Sequence, residues 1–228
     1  MIYITGDTHG EIDMRKLGTK NWMLGTKLKK TDFVIITGDF GLLWKNNEDA
    51  NEIYWKTWLN MKPWTTLFID GNHENHPRLN SLEQVEMFNG TVGKVTDSIY
   101  HLRRGEIYTI ENKTFFTFGG ASSHDKIYRT EGLSWWAEEV ANYDEMEKGL
   151  SKLEMYKNEV DYIITHTASI TFIHMIGLDP WYNDATIKYL EHILTEVKFK
   201  KWYCGHFHID KKTHKFRTLY HDIIEIGQ

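Results

Sequence analysis

Three shortages in the sequence narrow what the chain can be. A single cysteine, Cys204, stands in 228 residues, which excludes an intrachain disulfide and makes a reducing compartment the expected setting. At the end of an apolar run, Cys204 reads as a small buried hydrophobe and not as a nucleophile. No stretch approaches the ~20 apolar residues of a membrane-spanning helix. The opening Met1-Ile2-Tyr3-Ile4-Thr5-Gly6 enters a strand without the basic region and long apolar core of a signal peptide. A cytoplasmic location with no membrane partner is the expectation. A basic surplus is missing as well: the formal net charge of −5 argues against stable binding to nucleic-acid backbone, although bound cations reverse the sign of a local field. Linkers, repeats and low-complexity segments are also lacking, so residues 1–228 are read as one domain long enough to bury a substantial core.

Aromatic residues, by contrast, are plentiful at 14%, with nine tryptophans. They predict large rigid anchors in the core, some of them walling a cleft. The apolar runs are short and end in a repeated manner. Ile2 to Thr5 stops at Gly6-Asp7-Thr8-His9-Gly10, Phe33 to Ile36 at Gly38-Asp39-Phe40-Gly41, and Thr66 to Ile69 at Asp70-Gly71-Asn72-His73-Glu74. Val160 to Thr165 stops at His166, and the strand at Trp202 runs into Gly205-His206-Phe207-His208. In open α/β sheets ligands gather at the carboxyl ends of strands, and Asp, His and Asn oxygens and nitrogens are donors for borderline divalent cations. Because successive side chains of an extended segment point to opposite sides, His206 and His208 can serve two ions lying either side of the chain. Taken singly, each piece also has a bland reading: Asp after a strand is a common turn former or helix cap, and Gly-Asn is ordinary turn chemistry.

Between these strands the spacing predicts helices over 12–28, 48–61, 142–156 and 183–197. It also predicts antiparallel strands at 99–102, 106–110 and 114–118 that start a second sheet, and a closing hairpin on that sheet from 216–219 and 223–226. A long segment from Gly119 through Glu139, rich in small, charged and aromatic residues, is of the kind that is usually functional.

The ordered set Gly6-Asp7-Thr8-His9, Gly38-Asp39, Gly71-Asn72-His73-Glu74, His166 and Gly205-His206-Phe207-His208 resembles the calcineurin-like metallophosphoesterase superfamily, specifically its small bacterial and phage-encoded members. The resemblance covers nearly the whole chain, from Asp7 to His208. It implies a four-layer αββα sandwich, two mixed sheets flanked by helices, with a dinuclear metal site at the strand ends. Asp39 would bridge two divalent transition-metal ions, with Asp7, His9 and His208 completing one and Asn72, His166 and His206 the other. Manganese is the favoured ion, and iron, zinc, nickel and cobalt also suit the mixed N/O donors. A metal-bridging hydroxide would attack phosphorus in line, and His73 would bond a phosphoryl oxygen or protonate the leaving group. Many relatives carry an aspartate three residues after the bridging one to orient that histidine. Here Leu42 stands there, so either Asp70 or Glu74 steadies His73, or His73 acts mainly as a neutral donor. Ser122, Asp125 and Arg129 are candidates to contact substrate. Among the remaining histidines, His76 and His124 are the ones expected to line the cleft. Three functions follow in order: a phosphomonoesterase, phosphoprotein being within its range; a phosphodiesterase acting on nucleotides or short nucleic acid; and a non-catalytic interaction domain, whose mark would be lost ligands, none of which is lost here.

Overall fold

A computed structural model describes residues 1–180 and 184–227. In chain order the strands are β1 (Ile2–Thr5), β2 (Phe33–Ile36), β3 (Thr65–Phe68), β4 (Glu83–Met87), β5 (Gly90–Thr96), β6 (Ile99–Leu102), β7 (Glu106–Ile110), β8 (Lys113–Phe118), β9 (Tyr162–Thr165), β10 (Lys201–Cys204), β11 (Lys211–Thr213), β12 (Phe216–Thr218) and β13 (Ile223–Glu225). The α-helices are α1 (Ala50–Asn60), α2 (His76–Asn80), α3 (Tyr143–Met155), α4 (Ile170–Met175) and α5 (Ala185–Glu196). One sheet has the order β13-β1-β2-β3-β6-β5-β4, the other β11-β12-β10-β9-β8-β7. Both are mixed. In the first, β1, β2, β3 and β6 run parallel and β13, β5 and β4 pair antiparallel. In the second, β8, β9, β10 and β12 run parallel, with β7 and β11 antiparallel at the edges.

The layers follow from which alternate residues each strand sends to which side. Ile2, Ile4, Ile35 and Leu67 from the first sheet meet Phe115, Tyr162, Ile164 and Tyr203 from the second in one buried cluster between the sheets. On the outer face of the first sheet, Tyr3, Val34, Ile36 and Phe68 pack with Met14, Leu17, Trp55 and Leu59. On the outer face of the second, Phe116, Phe118, Ile163 and Trp202 pack with Leu153, Phe172, Leu190 and Ile193 from α3, α4 and α5. The expected four layers are thus present, and β1, β3, β6 and β9 are buried along their whole length.

Three expectations need correction. The helix predicted over 12–28 is two short 3₁₀ segments, Met14–Leu17 and Met23–Lys27, because Gly18 takes an extended conformation and ends the first. The strand at 99–102 does not open the second sheet: after α2, β4 and β5 the chain returns parallel to β3. β4 and β5 themselves gave little signal, since β4 is an edge strand of mixed, mostly exposed residues. Their turn places Phe88 and Asn89 both at positive φ, the geometry of a tight two-residue hairpin. Finally, the tail is no hairpin. β12 lies beside β10 in the second sheet, while β13 crosses to pair with β1 in the first. Of the helix expected over 183–197, Asn183 lies outside the described residues, and the described part starts after the Asp184 cap.

Candidate metal centre

The carboxyl ends of β1, β2, β3, β9 and β10 converge. After β1, β2 and β10 the chain leaves the extended region: His9, Asp39, His206 and His208 all adopt positive φ, at 41, 46, 67 and 51°. Side-chain residues rarely take that conformation, and its concentration here is the kind of strain that accumulates at functional sites. Close approach explains two glycines. A Cβ on Gly71 would strike the Asp39 carboxylate and the His166 ring, and one on Gly205 would strike the Asp7 carboxylate.

Asp7, His9, Asp39 and His208 each offer one donor atom within 4.8 Å of all the others. His9 Nε2 lies 3.3 Å from Asp39 Oδ2, and His208 Nε2 lies 3.2 Å from Asp7 Oδ2. On the other side of Asp39, its Oδ1 lies 3.2 Å from His166 Nε2, which is also 3.2 Å from Asn72 Oδ1. The His206 ring sits 5.0 Å from that of His166, and its backbone N–H donates to the Asp7 carboxylate. All seven residues expected from the sequence to bind metal therefore lie at this end of the strands, with the two Asp39 oxygens turned to opposite groups. His73 is beside them: its N–H donates to Asp39 Oδ1 at 2.9 Å, and its ring is 5.4 Å from that of His9.

The local field fits cations. Burial disfavours charge on His9 and His166, yet hydrogen bonds and attraction to Asp39 and Asp7 outweigh it and push the two up to about 9 and about 10. Burial would raise Asp39, but His166, His73 and His9 hold it well below the usual carboxylate range. Groups that draw protons this strongly draw divalent cations as well. His206 goes the other way, down to about 3, chiefly through burial and then the neighbouring His166. Burial also lowers His73, with Arg129 and His9 adding to the shift against the pull of Asp39.

Supporting contacts orient the donors. His166 Nδ1 donates to the Thr37 carbonyl at 2.8 Å, leaving Nε2 toward Asp39. His9 Nδ1 faces Asp13 Oδ2 at 2.8 Å. Asn72 donates its amide to Ser123 Oγ, which in turn bonds Glu139. These partners leave no local trace in the sequence, since each is an unremarkable polar residue outside the strands and α-helices.

Neither carboxylate expected beside His73 orients it. Asp70 is buried against Arg104, His101 and, at 3.9 Å, His76, while Glu74 accepts from the Gly41 and Gly71 N–H groups and ties two strand-end turns together. Leu42 is packed into the core. The neighbours of His73 are instead Trp44, its ring 5.2 Å away, and Arg129, whose Nη2 lies 3.5 Å from His73 Nε2. Arg129 is held by Asp125 at 2.7 Å and by the Ser134 carbonyl. Ser123, next to the substrate-contact candidate Ser122, bonds Asn72. His76 is buried against Asp70 and lines a separate cavity of about 230 Å³ with His101 and Arg104, and His124 is exposed. A cleft of about 160 Å³ opens beside His9 between Leu42, Trp44 and Lys45.

Among the described residues no helix is long and apolar enough to cross a membrane. The family model of calcineurin-like phosphoesterases matches residues 1–210. No curated protein matches the sequence significantly. Among solved structures, a Staphylococcus aureus protein described as a 5'-nucleotidase, in complex with alpha-ketoglutarate, is similar over 96% of this chain and 48% of its own, at 12% identity and a TM-score of 0.48. The chain spans about half the length of that protein, and the likeness is too slight to bear on substrate.

Proposed function

Because the chain belongs to the calcineurin-like phosphoesterase family, we propose that it is a dinuclear metal-dependent phosphoesterase that favours monoesters. One observation carries this reading: the buried Asp39 turns one carboxylate oxygen to the group around His9 and the other to the group around His166. Asp7, His9 and His208 would hold one divalent cation, Asn72, His166 and His206 the second, and Asp39 both. When bound, such a pair neutralises phosphoryl charge and acidifies an attacking water.

The rest falls to the chain's own side chains. Asp39 fixes the backbone of His73 through its N–H, so the imidazole faces the centre from a set position. Kept neutral by burial and by Arg129, it donates one N–H to a phosphoryl oxygen or to the departing oxygen. Arg129, braced by Asp125 and the Ser134 carbonyl, brings its Nη2 within 3.5 Å of His73 Nε2. A guanidinium fork suits paired phosphoryl oxygens, and an added positive charge favours the dianion of a monoester over the monoanion of a diester. Trp44 and Trp136, in edge contact at 5.2 Å, wall that side and limit water entry.

The test compares hydrolysis of an aryl phosphate with that of a bis-aryl phosphate in added manganese, with and without chelator. Faster, chelator-sensitive cleavage of the monoester is expected. Preference for the diester would replace the monoesterase by a phosphodiesterase, and cleavage of both that survives chelation would remove the metal centre from the reaction. Manganese remains the favoured ion, to be settled by elemental analysis of the purified protein.

A further inference from the structure

Two residues outside the seven donors, Asp13 and Tyr220, sit where they can hold one half of the centre in shape. His9 presents Nδ1 to Asp13 Oδ2 at 2.8 Å. With that nitrogen donating, its lone pair at Nε2 is left toward Asp39. The Tyr220 hydroxyl reaches the same Asp13 oxygen at 3.4 Å, and the Tyr220 ring stacks flat on His208, with centroids 4.5 Å apart and planes at 11°. One aromatic side chain thus contacts both the orienting group of His9 and the ring of His208.

His208 needs such restraint more than the other donors. Its side chain is 48% exposed and its backbone has a φ of 51°, so regular structure does not fix it, and its ring contacts are with Tyr220 and, edge-on, His9. Tyr220 is itself tied down. Its N–H, with those of His221 and Asp222, donates to the Asp210 carboxylate at 2.8, 3.0 and 3.1 Å. The half-buried Lys16 ammonium bonds the carbonyls of Gly6, Asp7 and Tyr220, joining the first strand-end turn to this segment. The family model stops at residue 210, so Tyr220 comes from a stretch the general pattern of the family does not describe.

We infer that Asp13 and Tyr220 are positioning residues for the cation held by Asp7, His9 and His208, with the segment that follows residue 210 acting as a strap over that position. The inference rests on the dinuclear reading above. Partners that orient metal-bound histidines typically change affinity about 10- to 100-fold when removed. That scale is expected at one position only, since neither residue contacts Asn72, His166 or His206.

The experiment titrates chelated protein with Mn²⁺ by calorimetry, counts bound manganese after gel filtration, and records melting of each variant in chelator. Wild type is expected to bind two ions. Tyr220→Ala and Asp13→Ala should bind one with wild-type affinity and the other about 10- to 100-fold more weakly, and Tyr220→Phe, which keeps the stack, should fall between. If Asp13→Ala does not fold, Asp13→Asn, which conserves volume, carries that arm. Two wild-type affinities in the variants, or equal weakening at both positions in step with a lower chelated melting temperature, would overturn the inference. A wild-type protein that binds no manganese would instead overturn the metal centre on which it rests.

Discussion

The Asp39 carboxylate is the residue that touches both His9 and His166, and in the proposed centre both halves depend on it. Removing it leaves His9 and His166 without their shared partner, so Asp39→Ala is expected to lower turnover by orders of magnitude and to reduce metal content at both positions, as elemental analysis would register. This contrasts with the one-sided loss expected for Tyr220. Arg129 acts differently, since it lies at the edge of the centre against His73 and Trp44. Arg129→Ala should raise KM for an aryl phosphate about tenfold or more, consistent with loss of a charge-assisted bond to phosphate, and leave manganese content unchanged. Steady-state kinetics with parallel metal analysis checks it, and unaltered constants would remove Arg129 from substrate binding.

At the scale of elements, the site is a consequence of how turns are stitched together. Glu74 holds the turn after β2 to the turn after β3, and the Arg104 guanidinium, between β6 and β7, pairs with Asp70 at 2.6 Å and with Glu145 of α3 at 3.1 Å. Arg104 and Asp70 are both buried. Taking away one member of a buried pair strands the other charge, which typically costs about 3–5 kcal/mol. Arg104→Ala is therefore expected to lower the urea midpoint by that amount of stability, measured by denaturation, whereas a change under about 1 kcal/mol would mean that water replaces the guanidinium.

For the whole molecule, the shifted histidines set a pH dependence in the absence of metal. His9 and His166, raised to about 9 and about 10, contribute stability that is complete below their ordinary value of 6.5 and is lost as pH rises through those values. His76 and His206, both lowered to about 3, contribute stability present above 6.5 and lost as pH falls toward 3. Chelated protein should thus melt highest near pH 6.5. Cations that bind the folded chain alone raise its stability by mass action and displace the protons on His9 and His166. Added manganese should therefore raise the melting temperature most on the alkaline side, as thermal scans across pH would show, and a flat profile with and without metal would contradict the assignment.

How much of this was legible before folding depends on distance along the chain. Each short apolar run followed by glycine and an Asp, Asn or His is a local signal, because burial of a parallel strand on both faces and the exit of the chain at its end are written in adjacent residues. That is why seven candidate donors could be proposed in order along the chain, and why the layers came out as expected. Pairings between distant segments have no such signature. The side on which β6 and β13 join, the partner that Asp70 takes in place of His73, the bond of Ser123 to Asn72, and the stacking of Tyr220 on His208 near an Asp13 that lies 207 positions away all depend on which surfaces meet once the two sheets close on one core. The sequence by itself determined the kind and order of the chemical groups. Only tertiary packing, through long-range burial and the hydrogen bonds that buried polar atoms must find, decided which of them touch.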